Sequence, residues 1–185
     1  SIEFEDREPM LVGSDASWKA AECAIRSNDL IQGESFDGAN LWTEALNLEF
    51  DDTKWQSVRA ASLGQVRLTA KSSLPCKVTE KLEPIEVIKV SDSVRIYDFG
   101  QNHTGNLELL AGKKDLLALT IRHAEVLDSN REMYVENLRA AKATDSVLNL
   151  HSNQSWNPQF TFHGYRFAQI ESQNPEAFPE SVSSR

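Results

Sequence analysis

The sequence predicts an all-β protein, an antiparallel β-sandwich of jelly-roll type, and two observations carry that reading. From about Ile85 onward apolar residues recur with period two, the spacing that puts one face of a strand toward a core. The short apolar runs are separated by clusters of Ser, Asp, Asn and Gly, residues that turn the chain rather than extend it. Many short strands with polar turns pack as two facing sheets, because each strand has one apolar face to bury. The 185 residues suit one core better than two full domains. The expectation is a single sandwich over residues 13–172, with an N-terminal edge at 1–12 and a C-terminal tail or linker at 173–185.

In the first third, Trp18, Trp42 and Trp55 are spread through polar loop residues, and rings in such loops are expected to pin them to the core. Asp51-Asp52-Thr53-Lys54-Trp55 places acids before an aromatic, as a short N-capped helical turn would. Residues 84–90 and 94–99 then read as a hairpin across Ser91-Asp92-Ser93. A strand at 106–111 follows Gly105, and Gly112-Lys113-Lys114-Asp115 turns the chain into a strand at 116–126, with Leu117, Leu119, Ile121 and His123 on one face. Residues 133–143 include the helix formers Glu136, Leu138, Arg139, Ala140 and Ala141, but too few for a stable helix, so an ordered loop or single turn is expected. Strands at 146–151 and 160–171 close the series. In the last, Phe160 and Phe162 have one parity and Tyr165 and Phe167 the other, so a bulge at Gly164 is expected to bring all four to one side.

Composition excludes several functions. Nineteen Lys and Arg against 28 Asp and Glu give a net charge of −9, which repels phosphate backbones and argues against a nucleic-acid partner. No apolar run is long enough to form a membrane-spanning helix. Cys23 and Cys76 form no C-x-x-C pair, so neither a zinc cluster nor a dense disulfide framework can be built from them, while one long-range disulfide and the compartment stay open. The chain opens Ser1-Ile2-Glu3 with neither an initiator Met nor a signal-peptide pattern, so a piece of something longer is expected, with chemistry outside it. No nucleophile elbow, P-loop, dinucleotide fingerprint or H-E-x-x-H is present. His123-Ala124-Glu125 has the H-x-E of zinc deaminases without the P-C-x-x-C half, so His123, like His163, reads as a packed, hydrogen-bonded histidine. No sequence spacing nominates a glycosidase pair among the acids, and the sequons at Asn102 and Asn153 carry no weight without secretion.

Two loops are more informative: Gly33-Glu34-Ser35-Phe36-Asp37-Gly38-Ala39-Asn40 and Tyr97-Asp98-Phe99-Gly100-Gln101-Asn102. Their Asp and amide oxygens suit a hard cation such as calcium, with sugar hydroxyls completing the shell; the same residues also build Asx turns. Asp37 and Asn40 are the candidate carbohydrate and calcium ligands, and Gln101 and Asn102 join them if the second loop converges on the first. Arg122, Asn137 and Asp145 read equally as ties between the long 128–143 loop and the sheet.

Taken together, Tyr97-Asp98-Phe99-Gly100-Gln101-Asn102 with Gly105, Arg122-His123-Ala124-Glu125-Val126-Leu127 with Ala141-Lys142-Ala143-Thr144-Asp145, and Trp156-Asn157-Pro158-Gln159-Phe160-Thr161-Phe162-His163-Gly164-Tyr165-Arg166-Phe167 resemble the β-sandwich that precedes the catalytic barrel in bacterial α-L-rhamnosidases. Ser14-Asp15-Ala16-Ser17-Trp18 and Phe50-Asp51-Asp52-Thr53-Lys54-Trp55 extend the resemblance more loosely, to nearly the whole chain. The resemblance implies a non-catalytic accessory domain, with inverting hydrolysis of terminal α-L-rhamnosyl bonds carried out by an (α/α) barrel outside this chain. It also implies a possible calcium-dependent rhamnose site at Asp37. There the family often has a small residue and Arg after the Asp, whereas this chain has Gly38-Ala39-Asn40.

Overall fold

In β8 (Leu116–Ala124), Leu119, Ile121 and His123 are buried in alternation and Arg122 faces solvent, but Leu117, expected on the same buried face, is exposed: the pairing with the neighbouring strand is interrupted opposite it, at Asn149, whose φ is 51°. The computed structural model describes residues 2–62, 64–67 and 69–185. Its strands are β1 (Lys19–Ala20), β2 (Ile25–Asp29), β3 (Gly33–Asp37), β4 (Gln56–Ser57), β5 (Glu86–Lys89), β6 (Val94–Gly105), β7 (Leu107–Leu110), β8, β9 (Val126–Leu127), β10 (Met133–Tyr134), β11 (Thr144–Leu150), β12 (Ser155–Trp156), β13 (His163–Ser172) and β14 (Ser181–Ser184). The only helical pieces among the described residues are two 3-10 turns, Gly38–Asn40 and Glu136–Leu138.

The chain divides into two compact units, which differs from the single sandwich expected over 13–172. One comprises Ser1–Glu22 and Trp42–Pro75, the other Cys23–Leu41 and Cys76–Arg185. In the first, β1 pairs with β4, Lys19 Nζ meets Asp52 Oδ1 at 2.6 Å, and Trp42, Phe50 and Trp55 form an edge-to-face ring cluster at 5.5 to 6.0 Å. Within this unit Trp42 packs on Trp55, while Trp42 and Trp18 stay 40% and 48% exposed. Asp51 does not cap a helix; its carboxylate accepts from Thr53 N at 3.0 Å in an Asx turn.

The second unit is the sandwich. A seven-stranded sheet, β2-β3-β11-β8-β13-β6-β5, faces a three-stranded sheet, β12-β7-β14, over one core. Phe36, Leu119, Ile121, Val147, Tyr165 and Ile170 of the large sheet meet Leu107, Leu109, Trp156 and Val182 of the small one there. The pairings are antiparallel except for β3 with β11, which run parallel.

Three sequence expectations need correction. Residues 181–184 are no tail: β14 pairs with β7, and Ser184 Oγ lies 2.5 Å from Tyr165 Oη inside the core. Strand β6 continues through Gln101 and Asn102, because Gly100 at φ 79° bends it without ending it. Strand β13 begins at His163, its register shift falls between Tyr165 and Phe167, and Phe160 and Phe162 are left 62% and 50% exposed instead of joining the core. Cys23 and Cys76 are free and exposed.

Candidate functional site

The position of Asp37 follows from two glycines. Gly33 has φ +115°, and a Cβ there would lie 2.1 Å from Thr144 O; at Gly38 it would lie 2.2 Å from Asn149 O. Only residues without a side chain let β3 and its following turn lie this close to β11. The parallel register sets Asp37 opposite Leu148, next to Asn149, whose φ of 51° is left-handed. The Asp37 carboxylate accepts from Asn149 Nδ2 at 2.8 Å, Ala39 N at 3.1 Å and Asn40 Nδ2 at 3.2 Å, and pairs with Arg26 Nη2 at 3.4 Å. The Asn149 hydrogen bond first, and the Ala39 N–H second, hold its carboxyl below the usual range. Asp37 and Asn40 are thus brought together as expected. Asn149 joins them without any local signal, since it reaches Asp37 through strand pairing.

Gln101 and Asn102 do not join this group. Strands β11, β8 and β13 stand between β3 and β6, a separation of roughly 19 Å at about 4.8 Å per strand. Asn102 instead donates to Glu125 Oε1 at 3.2 Å, and Gln101 lines a groove of about 690 Å³ with Leu30, Val78, Asn106, Phe160 and Phe162.

Beneath the same sheet lies a buried polar cluster. Glu34, 2% exposed, accepts at Oε2 from the backbone of Gln159 and Phe160 at 3.0 and 3.1 Å, and burial raises its carboxyl above the usual range. Asp145 Oδ1 accepts from Glu34 N at 2.8 Å, and His163 Nε2 lies 3.2 Å from both Asp145 oxygens. The His123 ring stacks on His163, centroids 4.1 Å apart, and its Nδ1 lies 3.0 Å from Ala143 O. Burial, and then the neighbouring His163, push His123 down to about 4. Both histidines are packed and hydrogen-bonded as the sequence reading has them, whereas Asp145, itself in β11, bonds residues of β3 and β13 rather than the 128–143 loop among the described residues. Their convergence was not legible, because they come from three different strands. Among the described residues this is the one group of three His, Cys, Asp or Glu side chains whose ligand atoms all lie within 4.8 Å of one another.

Arg166 closes the other side of β13 with a forked pair, Nε and Nη2 at 2.8 and 2.9 Å from Asp98. The Arg166 hydrogen bonds hold the Asp98 carboxyl below the usual range.

Residues 88–185 match the model of the bacterial α-L-rhamnosidase concanavalin-like domain, and residues 1–80 match that of the α-L-rhamnosidase N-terminal domain. The chain belongs to the bacterial α-L-rhamnosidase family. It is 30% identical over 186 residues to an α-L-rhamnosidase of Streptomyces avermitilis, a match covering 100% of this chain and 18% of that one. An Alteromonas α-L-rhamnosidase is 33% identical over 172 residues, covering 91% and 19%. Among solved structures, the S. avermitilis α-L-rhamnosidase complexed with L-rhamnose superposes with a TM-score of 0.86 at 30% identity, covering 99% of this chain and 18% of that one. The Dictyoglumus thermophilum α-L-rhamnosidase does so with a TM-score of 0.86 at 27% identity, covering 97% and 20%. The chain therefore spans about a fifth of the length of these rhamnosidases. The N-terminal domain model includes β2 and β3, which the fold incorporates into the sheet of the second unit.

Proposed function

We propose that this chain is the non-catalytic accessory region of an α-L-rhamnosidase, a β-sandwich that supports a catalytic barrel of the same polypeptide. In this reading the barrel hydrolyses terminal α-L-rhamnosyl bonds. The observation that carries it is the pair of consecutive domain matches covering nearly the whole chain, in relatives of which it makes up a fifth. The chemistry agrees: the buried acids Glu34, Asp98 and Asp145 are engaged by backbone N–H groups, Arg166 and His163 rather than paired across a cleft. The half-exposed Phe160 and Phe162, on the rim of the 690 Å³ groove, give the barrel an apolar surface to cover. In the whole polypeptide, Phe160→Ser with Phe162→Ser is expected to lower the thermal midpoint while leaving KM for an aryl α-L-rhamnoside unchanged. An unchanged midpoint would remove this docking face, and turnover of that substrate by the 185-residue chain alone would overturn the non-catalytic reading.

A second reading, a calcium-dependent rhamnose-binding module, is favoured by the convergence of Asp37, Asn40 and Asn149 at one end of β3. Against it stands the Arg26 guanidinium, which competes with a cation for the Asp37 carboxylate. Titration with L-rhamnose in calcium and then in chelator, beside Asp37→Ala, decides: heat that needs both calcium and Asp37 establishes the module, and silence at millimolar sugar leaves the supporting role.

A further inference from the structure

We propose that His123, Asp145 and His163 form a buried site for one divalent transition-metal ion of the zinc type, stapling β8, β11 and β13 together.

The three residues lie on neighbouring strands of the large sheet, and all are buried, at 1%, 0% and 4% exposure. The decisive group is His123. Its Nδ1 is 3.0 Å from Ala143 O, and a carbonyl can only accept, so Nδ1 bears the proton and Nε2 presents a bare lone pair. That Nε2 is buried without a hydrogen-bond partner, and it faces another acceptor, Asp145 Oδ2, at 4.0 Å. A buried imidazole nitrogen with no donor, 4.0 Å from a carboxylate oxygen whose one neighbouring donor among the described residues is His163 Nε2, is unfavourable until a cation between them satisfies it. A histidine held through Nδ1–H by a backbone carbonyl, with Nε2 turned inward, is also how proteins orient metal-ligating imidazole.

Dimensions and ligand type agree. Metal–nitrogen and metal–oxygen bonds of about 2.0–2.2 Å set tetrahedral ligand atoms roughly 3.3–3.6 Å apart. Here His163 Nε2 is 3.2 Å from each Asp145 oxygen, His123 Nε2 is 4.0 Å from Oδ2, and all the ligand atoms fall within 4.8 Å. Two imidazoles and one carboxylate select zinc and its first-row neighbours over calcium or magnesium, which take oxygen-rich shells. Two adjustments accompany uptake. The rings, now stacked at 4.1 Å with 23° between their planes, must splay so that both Nε2 lone pairs converge. His163, whose Nε2 now donates to Asp145, must pass that proton to Nδ1. This site is separate from Asp37, so its failure leaves both readings above untouched.

The test uses the whole polypeptide, loaded with zinc, dialysed and analysed for zinc content, with cobalt as an optical substitute. One equivalent of zinc is expected, falling at least about tenfold in Asp145→Asn and in His163→Gln, whose folding is checked by circular dichroism. X-ray absorption at the zinc edge of the wild-type protein needs no variant, and is expected to show a nitrogen/oxygen shell with scattering from two imidazoles. Absence of zinc and cobalt uptake, uptake unchanged in folded variants, a shell containing sulfur, or a crystal structure with water bridging His123 and Asp145 would each overturn the site.

Discussion

Replacing Gly33 with alanine is the most demanding test of how the sheet is assembled. At φ +115° the backbone is in a region that L-residues adopt at a cost of about 1–3 kcal/mol. The new Cβ would sit 2.1 Å from Thr144 O and 2.6 Å from Thr144 C, both backbone, against an ordinary contact of about 3.5 Å. Relief requires β3 and β11 to separate by about 1 Å, stretching the bond from Thr144 N to Gln32 O (3.0 Å) and that from Glu34 N to Asp145 Oδ1 (2.8 Å). One neutral and one charge-assisted hydrogen bond add about 2–4 kcal/mol, so Gly33→Ala is expected to destabilise the sandwich by about 5 kcal/mol. Gly64→Ala is the control: φ is +59° with no atom within 4 Å of the added Cβ, so about 1 kcal/mol is expected. Urea unfolding gives the totals, and hydrogen exchange of peptides covering 33–37 and 144–150 localises the loss. If Gly33→Ala loses no more than Gly64→Ala, the close β3–β11 approach is wrong.

Ile121→Ala, in the centre of the core, is expected to cost about 2–5 kcal/mol, whereas Leu117→Ala, exposed at the start of β8, should stay within about 0.5 kcal/mol in the same unfolding assay. Arg166→Gln leaves Asp98 with the Gly100 N–H and should lower the unfolding midpoint in the same assay by less than Ile121→Ala does, because the exposed guanidinium is screened by solvent. Because the Asp98 carboxyl is held below its unfolded value, its contribution is present above about pH 4 and is lost as pH falls through the folded value. Asp98→Asn should therefore flatten the acid limb of the stability curve measured by urea titration. Glu34→Ala strips the acceptor from two backbone N–H groups and should speed exchange at Gln159 and Phe160, while Glu34→Gln, which keeps an oxygen, should do so much less.

Residues with local signals were read correctly. The β5–β6 hairpin across Ser91-Asp92-Ser93, the alternation of β8 from Leu119 to His123 and the single turn at Glu136–Leu138 each depend on a few neighbours in the chain. Phe160 and Phe162 misled because their parity fits a strand. Glu34, gripping the backbone at 159 and 160, anchors the segment outside β13 and leaves both rings exposed. Residues 181–184 gave no alternation and were taken for a tail; their pairing with β7 is a contact across some seventy residues. The Asp37–Asn40 pair was legible because both lie in one turn, but Asn149, its strongest hydrogen-bond partner, lies 112 positions away from Asp37.

By itself the sequence determined the all-β character, most strand positions and the rhamnosidase family. These depend on side-chain alternation, turn chemistry and composition, which act over a few residues or over the chain as a whole. Only the tertiary structure decided that β3 lies parallel to β11, that Gln101 and Asn102 stand four strands from Asp37, and that His123, Asp145 and His163 meet. Strand order and register come from burying distant segments together, and nothing in local spacing encodes which segment will become the neighbour.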